Sequence, residues 1–432
     1  MSKPPERVEL RFSEPVDAQF DPVVVRGADG ARVDAHDAHV DPEDARIVLA
    51  DLERVPEGSY TVKWRVTSID GHVVDGRYAF AVAAAGEDRP SEDAGDRATT
   101  AEAAGAHSGH HGGHHGGGAG GIASTDRRDP VPEPAAGGAT TRAASVEHGL
   151  ALAATAFLAG LAPFAVLVWL PASRQSRVGR AAIRSFGVLA GSLLLALALA
   201  GVGELSSYAV RASGDPLSTE LFWHTLFDSR VGALWLTRLS LALLAAAVIA
   251  AAASSGRTWP WWAAIGASGM LMITLTGLSH AAATGRLLPL LADWTHAVAA
   301  TVWMGGLLGF AVALCSRAFR DLAPDSRMKL RDRAVRRFSA VATYAVVVLA
   351  CTGLYAAVLH IPNPQALLAT PYGRALIAKL ALLSLLLAAG ASNLLLRGRG
   401  PFGRLVVLEL LLALALFVAT GFLTSLPPAS GA

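Results

Sequence analysis

From about residue 148 onward the chain is a succession of apolar runs, each about 20 residues long and rich in Ala, Leu and Val. A helix of that length crosses the ~30 Å hydrocarbon core of a bilayer. Lipid leaves few alternatives, because every backbone N–H and C=O must be satisfied within the protein. We read eight such runs: about 148–170, 184–210, 231–253, 260–284, 292–316, 336–360, 373–396 and 404–426. The expected architecture for 147–428 is therefore an all-α polytopic membrane bundle of eight transmembrane helices. Composition agrees, at 52% hydrophobic and 17% charged residues, against about a quarter charged in soluble domains. An ordinary soluble enzyme is excluded. The net charge of +2 gives no basis for binding nucleic acid. The two cysteines, Cys315 and Cys351, both lie in apolar runs, which excludes a disulfide framework and a thiolate zinc cluster.

Charge fixes an expected orientation. Arg174, Arg177, Arg180 and Arg184 precede the second run, Arg257 precedes the fourth, and Arg397, Arg399 and Arg404 precede the eighth. Eight more basic residues, from Arg317 to Arg337, precede the sixth, whereas the alternate loops hold only Arg211, Arg230, Arg286 and Arg374. By the positive-inside rule the basic loops are cytoplasmic and both chain ends lie outside.

The first 85 residues have a different character. Residues 1–90 carry 11 basic and 18 acidic side chains. Val8, Leu10 and Phe12 alternate with charged neighbours, the period of a half-buried strand. Val23-Val24-Val25, then Gly27-Ala28-Asp29-Gly30, then Val33 read as a hairpin. Further short runs at 47–49, 60–67 and 78–82 imply an antiparallel β-sandwich, Ig-like or cupredoxin-like, with Phe12, Trp64, Tyr78 and Phe80 expected in a shared core. In Ser68-Ile69-Asp70-Gly71-His72, Asp70 and His72 share a face if the segment is extended, which suits Cu(II) or Zn(II). The alternative is a plain Asp-Gly turn followed by an exposed histidine.

Residues 86–146 form an Ala-, Gly- and Pro-rich linker expected to be disordered. It contains His107, His110, His111, His114 and His115, a flexible chelator for Cu(II), Zn or Ni. In the bundle, His148, His224, His280, His296 and His360 all fall toward the outer ends of the runs. Met272 precedes His280 by eight residues and Met304 follows His296 by eight, which sets both sulphurs about 12 Å deeper. With Cys351 they make a candidate inner path for Cu(I), behind an entry site of His280 and His296. Packing is the alternative role for Met272, Met304 and Cys351. Arg238, Lys379, Asn393 and Glu409 are intramembrane polar residues expected to face the interior. Lys379 and Glu409 are expected to pair, with Asn393 adding a hydrogen bond.

Several segments resemble known families. Glu9 to Val16, Gly58 to Val66 and Ser68-Ile69-Asp70-Gly71-His72 are similar to the CopC family of extracytoplasmic copper-binding sandwiches. That resemblance implies Cu(II) binding by Asp70 and His72. The family's N-terminal histidine has no counterpart in Met1-Ser2-Lys3-Pro4-Pro5, and a Met-rich Cu(I) stretch is lacking. The expectation is either half a copper site or a true start, with an export signal, upstream. Gly277-Leu278-Ser279-His280, Asp293-Trp294-Thr295-His296, Trp303-Met304-Gly305-Gly306, Thr352-Gly353 and Thr370-Pro371-Tyr372-Gly373, together with Lys379 and Asn393, resemble the CopD copper-transport domain. The whole resembles fused CopC–CopD proteins, which implies copper import across the bacterial cytoplasmic membrane.

The leading reading is thus a multi-pass copper importer whose sandwich (1–85), linker and C-terminus are extracytoplasmic. Its expected partners are copper ions, lipid, and extracytoplasmic copper chaperones or a reductase. It has no Walker loop to use a nucleotide and no hydrolytic constellation. Two alternatives are a b-type haem electron-transfer protein ligated by His280 and His296, and a membrane-anchored copper buffer or sensor.

Overall fold

The computed structural model describes residues 4–68, 71, 73–83, 137–174, 176–276, 286–361, 363, 365–395 and 402–426. The chain divides into two compact units, a β unit and a helical unit.

The β unit is a sandwich of two antiparallel sheets. One contains β1 (Arg7–Arg11), β5 (Ile47–Asp51) and β4 (His39–Val40), in the order β1-β5-β4. In the other, β6 (Gly58–Ser68) pairs with β2 (Val16–Asp17) and β3 (Val23–Gly27) on one side and β7 (Val73–Val82) on the other. Alternation decides which face is buried: Val8 and Leu10 of β1 register against Ala50 and Val48 of β5, and all four are buried. The expected 27–30 turn forms, with Gly30 in the left-handed region at φ +81° and its N–H donating to the Gly27 carbonyl.

The sandwich core is valine-based. Val23, Val25, Val48 and Val62 are fully buried, with Tyr60 as the aromatic member. Each buried valine contributes about 1.5–3 kcal/mol. The expected aromatic core is corrected accordingly. Phe12, Trp64 and Phe80 pack at its margin and Tyr78 is 41% exposed. The register explains why. Tyr60, Val62 and Trp64 of β6 face Phe80, Tyr78 and Gly76 of β7, so the rings form a ladder on the outermost strand pair, with Tyr60 and Phe80 stacked at 5.3 Å. A Cβ at Gly76 would lie 2.2 Å from the Trp64 ring, so only glycine leaves room for it.

The helical unit contains α1 (Gly137–Pro163, continued by a π-helical turn over Phe164–Trp169 to Ala172), α2 (Phe186–Ser213), α3 (Arg230–Ser255) and α4 (Trp259–Thr276). It continues with α5 (Leu287–Ala300, a π-helical turn Thr301–Gly305, then Gly306–Cys315), α6 (Pro324–His360), α7 (Pro371–Leu395) and α8 (Phe402–Thr424). Among the described residues seven of these are long and apolar enough to cross a membrane. The fourth expected span, 260–284, whose described part is α4, is not among them. Its described part is 18 residues and opens on Trp-Pro-Trp-Trp, side chains suited to the interface more than to the hydrocarbon. The expected sixth span also changes. At 37 residues, α6 is about 55 Å long, so its Arg- and Lys-rich first turns extend beyond the hydrocarbon core.

α1 is the central helix, with 72% of its most apolar window buried against 6% for α6. Small residues let its neighbours approach. A Cβ on Gly160 would lie 2.4 Å from the Thr301 carbonyl oxygen, and one on Gly305 would lie 2.5 Å from the Ala156 oxygen, so α1 and α5 cross backbone to backbone. Gly149 and Gly421 do the same for α1 and α8. Beside the first crossing, Phe164 contacts the rings of Trp169, Phe186, Phe310 and Phe338 and closes the core.

Candidate metal centre

His296 lies on α5 one turn before its π-helical segment, and such segments often occur at functional sites. The ring is half-buried. Its Nδ1 is 2.8 Å from the Thr352 hydroxyl of α6, and that hydroxyl donates to the Val348 carbonyl at 2.7 Å. The single hydroxyl proton is thereby committed, so Thr352 Oγ1 accepts from a protonated Nδ1. The Nε2 lone pair is left as the metal-binding position, the usual arrangement for a ligand histidine held by an outer partner. Gly353 lies beside the ring, where a Cβ would make an ordinary 3.7 Å contact with His296 Cε1. Asp293, one turn earlier on α5, and His296 both lie within the electrostatic reach of Lys379 on α7. One imidazole and one carboxylate of α5 thus lie near an ammonium of α7, while α6 supplies the Thr352 hydroxyl.

The sulphur residues are not gathered into one path. Met272 is fully buried on α4, and its Sδ accepts from the Thr301 hydroxyl of α5 at 3.0 Å. Met304 is buried in a different apolar cluster, with Phe157, Leu386 and Leu416. Cys351 is a free thiol exposed on the outside of the bundle. His280 lies outside the described residues.

The intramembrane polar residues pair differently from expectation. Glu409 of α8 accepts from the Asn393 amide of α7, and both are buried. Lys379 is not its partner: fourteen residues before Asn393 on the same helix, it lies about 21 Å away along the axis, toward Asp293 and His296. Arg238 of α3 is buried. It donates to the Thr274 carbonyl at 3.3 Å and stands 3.9 Å from Glu204 of α2, which meets His148 Nδ1 at 2.8 Å. Thr352 carries a resemblance in the sequence but no sign of its pairing with His296, and Glu204 carries no signal at all. Thr352 lies 56 residues from His296, and Glu204 lies as far from His148, so no local spacing could reveal either pair.

In the sandwich, the chain between β6 and β7 turns at Gly71, which has φ +92° and donates its N–H to the Ser68 carbonyl. The backbone is therefore not extended through this point, and the turn alternative describes Gly71. Asp70 and His72 flank it outside the described residues, as do all five linker histidines. A separate group, Asp21, Asp34 and His36, brings three ligand atoms within 4.8 Å. Arg32 already occupies the cation position there, bonding to both carboxylates. Burial alone would raise the Asp34 carboxyl, but the Arg32 hydrogen bonds and the Val25 N–H outweigh it and hold the group below the usual carboxylate range. This cluster is a structural ion pair.

Residues 1–83 match the CopC domain, 143–288 match the copper resistance protein D-like N-terminal domain, and 332–423 match copper resistance protein D. The copper transport protein CutJ of Bacillus subtilis (strain 168) is 26% identical over 98% of this chain and 71% of its own length. The chain is a CopC–CopD fusion. Its CopC part is 32% identical to protein YobA of Escherichia coli (strain K12) over 18% of this chain and 64% of that protein. The crystal structure of CopC from Methylosinus trichosporium OB3b is 35% identical, covering 18% of this chain and 76% of that one, with a TM-score of 0.17. The CopD part, with its apolar helices, makes the fusion a membrane protein. His296, Thr352 and Lys379 all belong to the helical unit, and Thr352 and Lys379 fall within the copper resistance protein D match.

Proposed function

We propose that this CopC–CopD fusion acquires copper at the outer surface and imports it across the bacterial cytoplasmic membrane. The observation that carries the reading is the His296–Thr352 hydrogen bond, which holds the imidazole by Nδ1 inside the helical bundle and leaves Nε2 as the atom to meet a metal. The similarity to a protein named as a copper transport protein over 98% of the chain supports it. The CopC domain, the linker and the C-terminus are extracytoplasmic in this reading, because the basic loops keep to the other side. Asp70 and His72 bind Cu(II), and His107, His110, His111, His114 and His115 retain it near the membrane at high local concentration. His280 and His296 then receive it at the mouth of the bundle. Extracytoplasmic copper chaperones or a reductase supply the metal.

Met272 is the sulphur ligand best placed for reduced copper, since it is buried and bonded to α5. Met304 packs the core. Cys351, on the outer face, takes no part in the path. In this reading the protein acts as a transporter, and a membrane redox activity is compatible with it. The test is copper accumulation at limiting copper and matched expression, in cells carrying wild type, His296→Ala, His280→Ala or empty vector. Wild type accumulates copper above vector and both variants fall toward it. Wild type equal to vector removes the importer reading.

A further inference from the structure

A cavity of about 290 Å³ lies among α5, α6, α7 and α8, away from His296. Trp303 and Phe338 are among its apolar walls, and the buried Asn393–Glu409 pair lines it as well. Val347 and Leu387 also line it, and both are exposed on the outside of the bundle, so it opens toward lipid. Asn393 Nδ2 is committed to the Glu409 carboxylate, which prevents the amide from turning over. Asn393 Oδ1 is consequently left without a hydrogen-bond partner, although the residue is 91% buried. A buried unpaired acceptor in an apolar chamber calls for a ligand that brings a donor.

We propose that this cavity binds a membrane-soluble quinol. A phenolic O–H donates to Asn393 Oδ1, the flat ring lies against Trp303 and Phe338, and the apolar tail leaves past Val347 and Leu387 into the bilayer. An acyl chain would fill the same volume but leave Oδ1 unpaired. A quinone would do worse, because it offers only acceptors to an acceptor. The site therefore selects the reduced form, by the logic that separates a hydroxylated ligand from its analogue lacking the hydroxyl. Glu409 is a positioning residue that holds the amide in the selecting orientation.

The test uses the full chain in phosphatidylcholine nanodiscs, titrated with decylubiquinol and separately with decylubiquinone, and read by the quenching of fluorescence lost in Trp303→Phe. Saturable binding of the quinol is expected, at least tenfold tighter than the quinone. Asn393→Leu should abolish that preference. Val347→Trp fills the mouth of the cavity without touching the Asn393–Glu409 pair and should remove saturable binding of both, so the test survives if Asn393→Leu does not fold. Equal affinity for quinol and quinone in wild type overturns the proposal. So does unsaturable partitioning, or a Val347→Trp variant that binds like wild type.

Discussion

Replacing Thr352 by valine keeps the β-branched shape and removes only the hydroxyl. In the wild type that oxygen accepts from His296 Nδ1 at 2.8 Å while donating to Val348 at 2.7 Å. The variant leaves the half-buried Nδ1–H without its partner. The ring becomes free to exchange tautomers or rotate, and the Nε2 lone pair is no longer fixed. Interhelical hydrogen bonds in membranes contribute about 0.6–1.7 kcal/mol, which corresponds to roughly 3- to 20-fold at 1.36 kcal/mol per factor of ten. Loss of an outer partner of a metal-binding histidine costs about 10–100-fold in affinity, so the two ranges overlap near tenfold. Initial copper uptake measured against copper concentration should therefore show a half-saturation about tenfold higher in Thr352→Val. Thr352→Ser, which keeps the hydroxyl, should stay close to wild type. Thermal unfolding separates this from misfolding, since only one hydrogen bond is lost. A Thr352→Val protein with unchanged half-saturation would refute the role assigned to the His296–Thr352 pair.

Other consequences follow from the packing and charge. Gly305→Val places side-chain atoms where the Ala156 carbonyl oxygen is 2.5 Å from the Cβ position, and should destabilise the bundle by about 1–3 kcal/mol, seen as a lower unfolding midpoint in detergent. Arg238→Leu removes the buried cation beside Glu204 and should cost about 3–5 kcal/mol; adding Glu204→Gln should recover part of it, and no recovery would argue against the pairing. The folded Asp34 carboxyl titrates below its unfolded value, so its contribution is complete above the unfolded pKa of about 3.9 and is lost as pH falls through the lower folded value. Hydrogen exchange at the Val25 amide, which Asp34 accepts at 2.7 Å, should lose protection over that acid range after correction for intrinsic rates. Asp34→Asn should show reduced protection already at neutral pH.

Much of the architecture is legible in the residues. The alternation in β1 places Val8 and Leu10 in the core because a strand's period of two leaves no other choice. The long Ala/Leu/Val runs dictate helices because lipid offers no partner to an open backbone. The small pair Gly305-Gly306 suits a close helix approach, and its crossing partner Gly160 completes the contact. What escaped the sequence is pairing over distance. Lys379 and Glu409 are the obvious opposite charges, yet helix geometry sets Lys379 toward α5 and gives Glu409 to Asn393. Three of the aromatic residues expected at the centre of the sandwich, Trp64, Tyr78 and Phe80, line the β6–β7 pair because β-branched valines fill the interior and Gly76 receives Trp64 beside it. The partner of His296 is a threonine, a residue type with no metal chemistry of its own, and although Thr352-Gly353 belongs to a CopD-like motif, its pairing with His296 is invisible until the fold brings α5 and α6 together.

The central claim is that the chain itself moves copper and does so through His296. Purified full-length protein in sealed proteoliposomes, given radioactive copper outside and a copper chelator inside, tests it without other cellular carriers. Saturable accumulation above empty liposomes is expected, lost in His296→Ala, with the variant still folded by its unfolding midpoint. Accumulation by His296→Ala equal to wild type, or none by wild type under either redox state of the supplied copper, would contradict it.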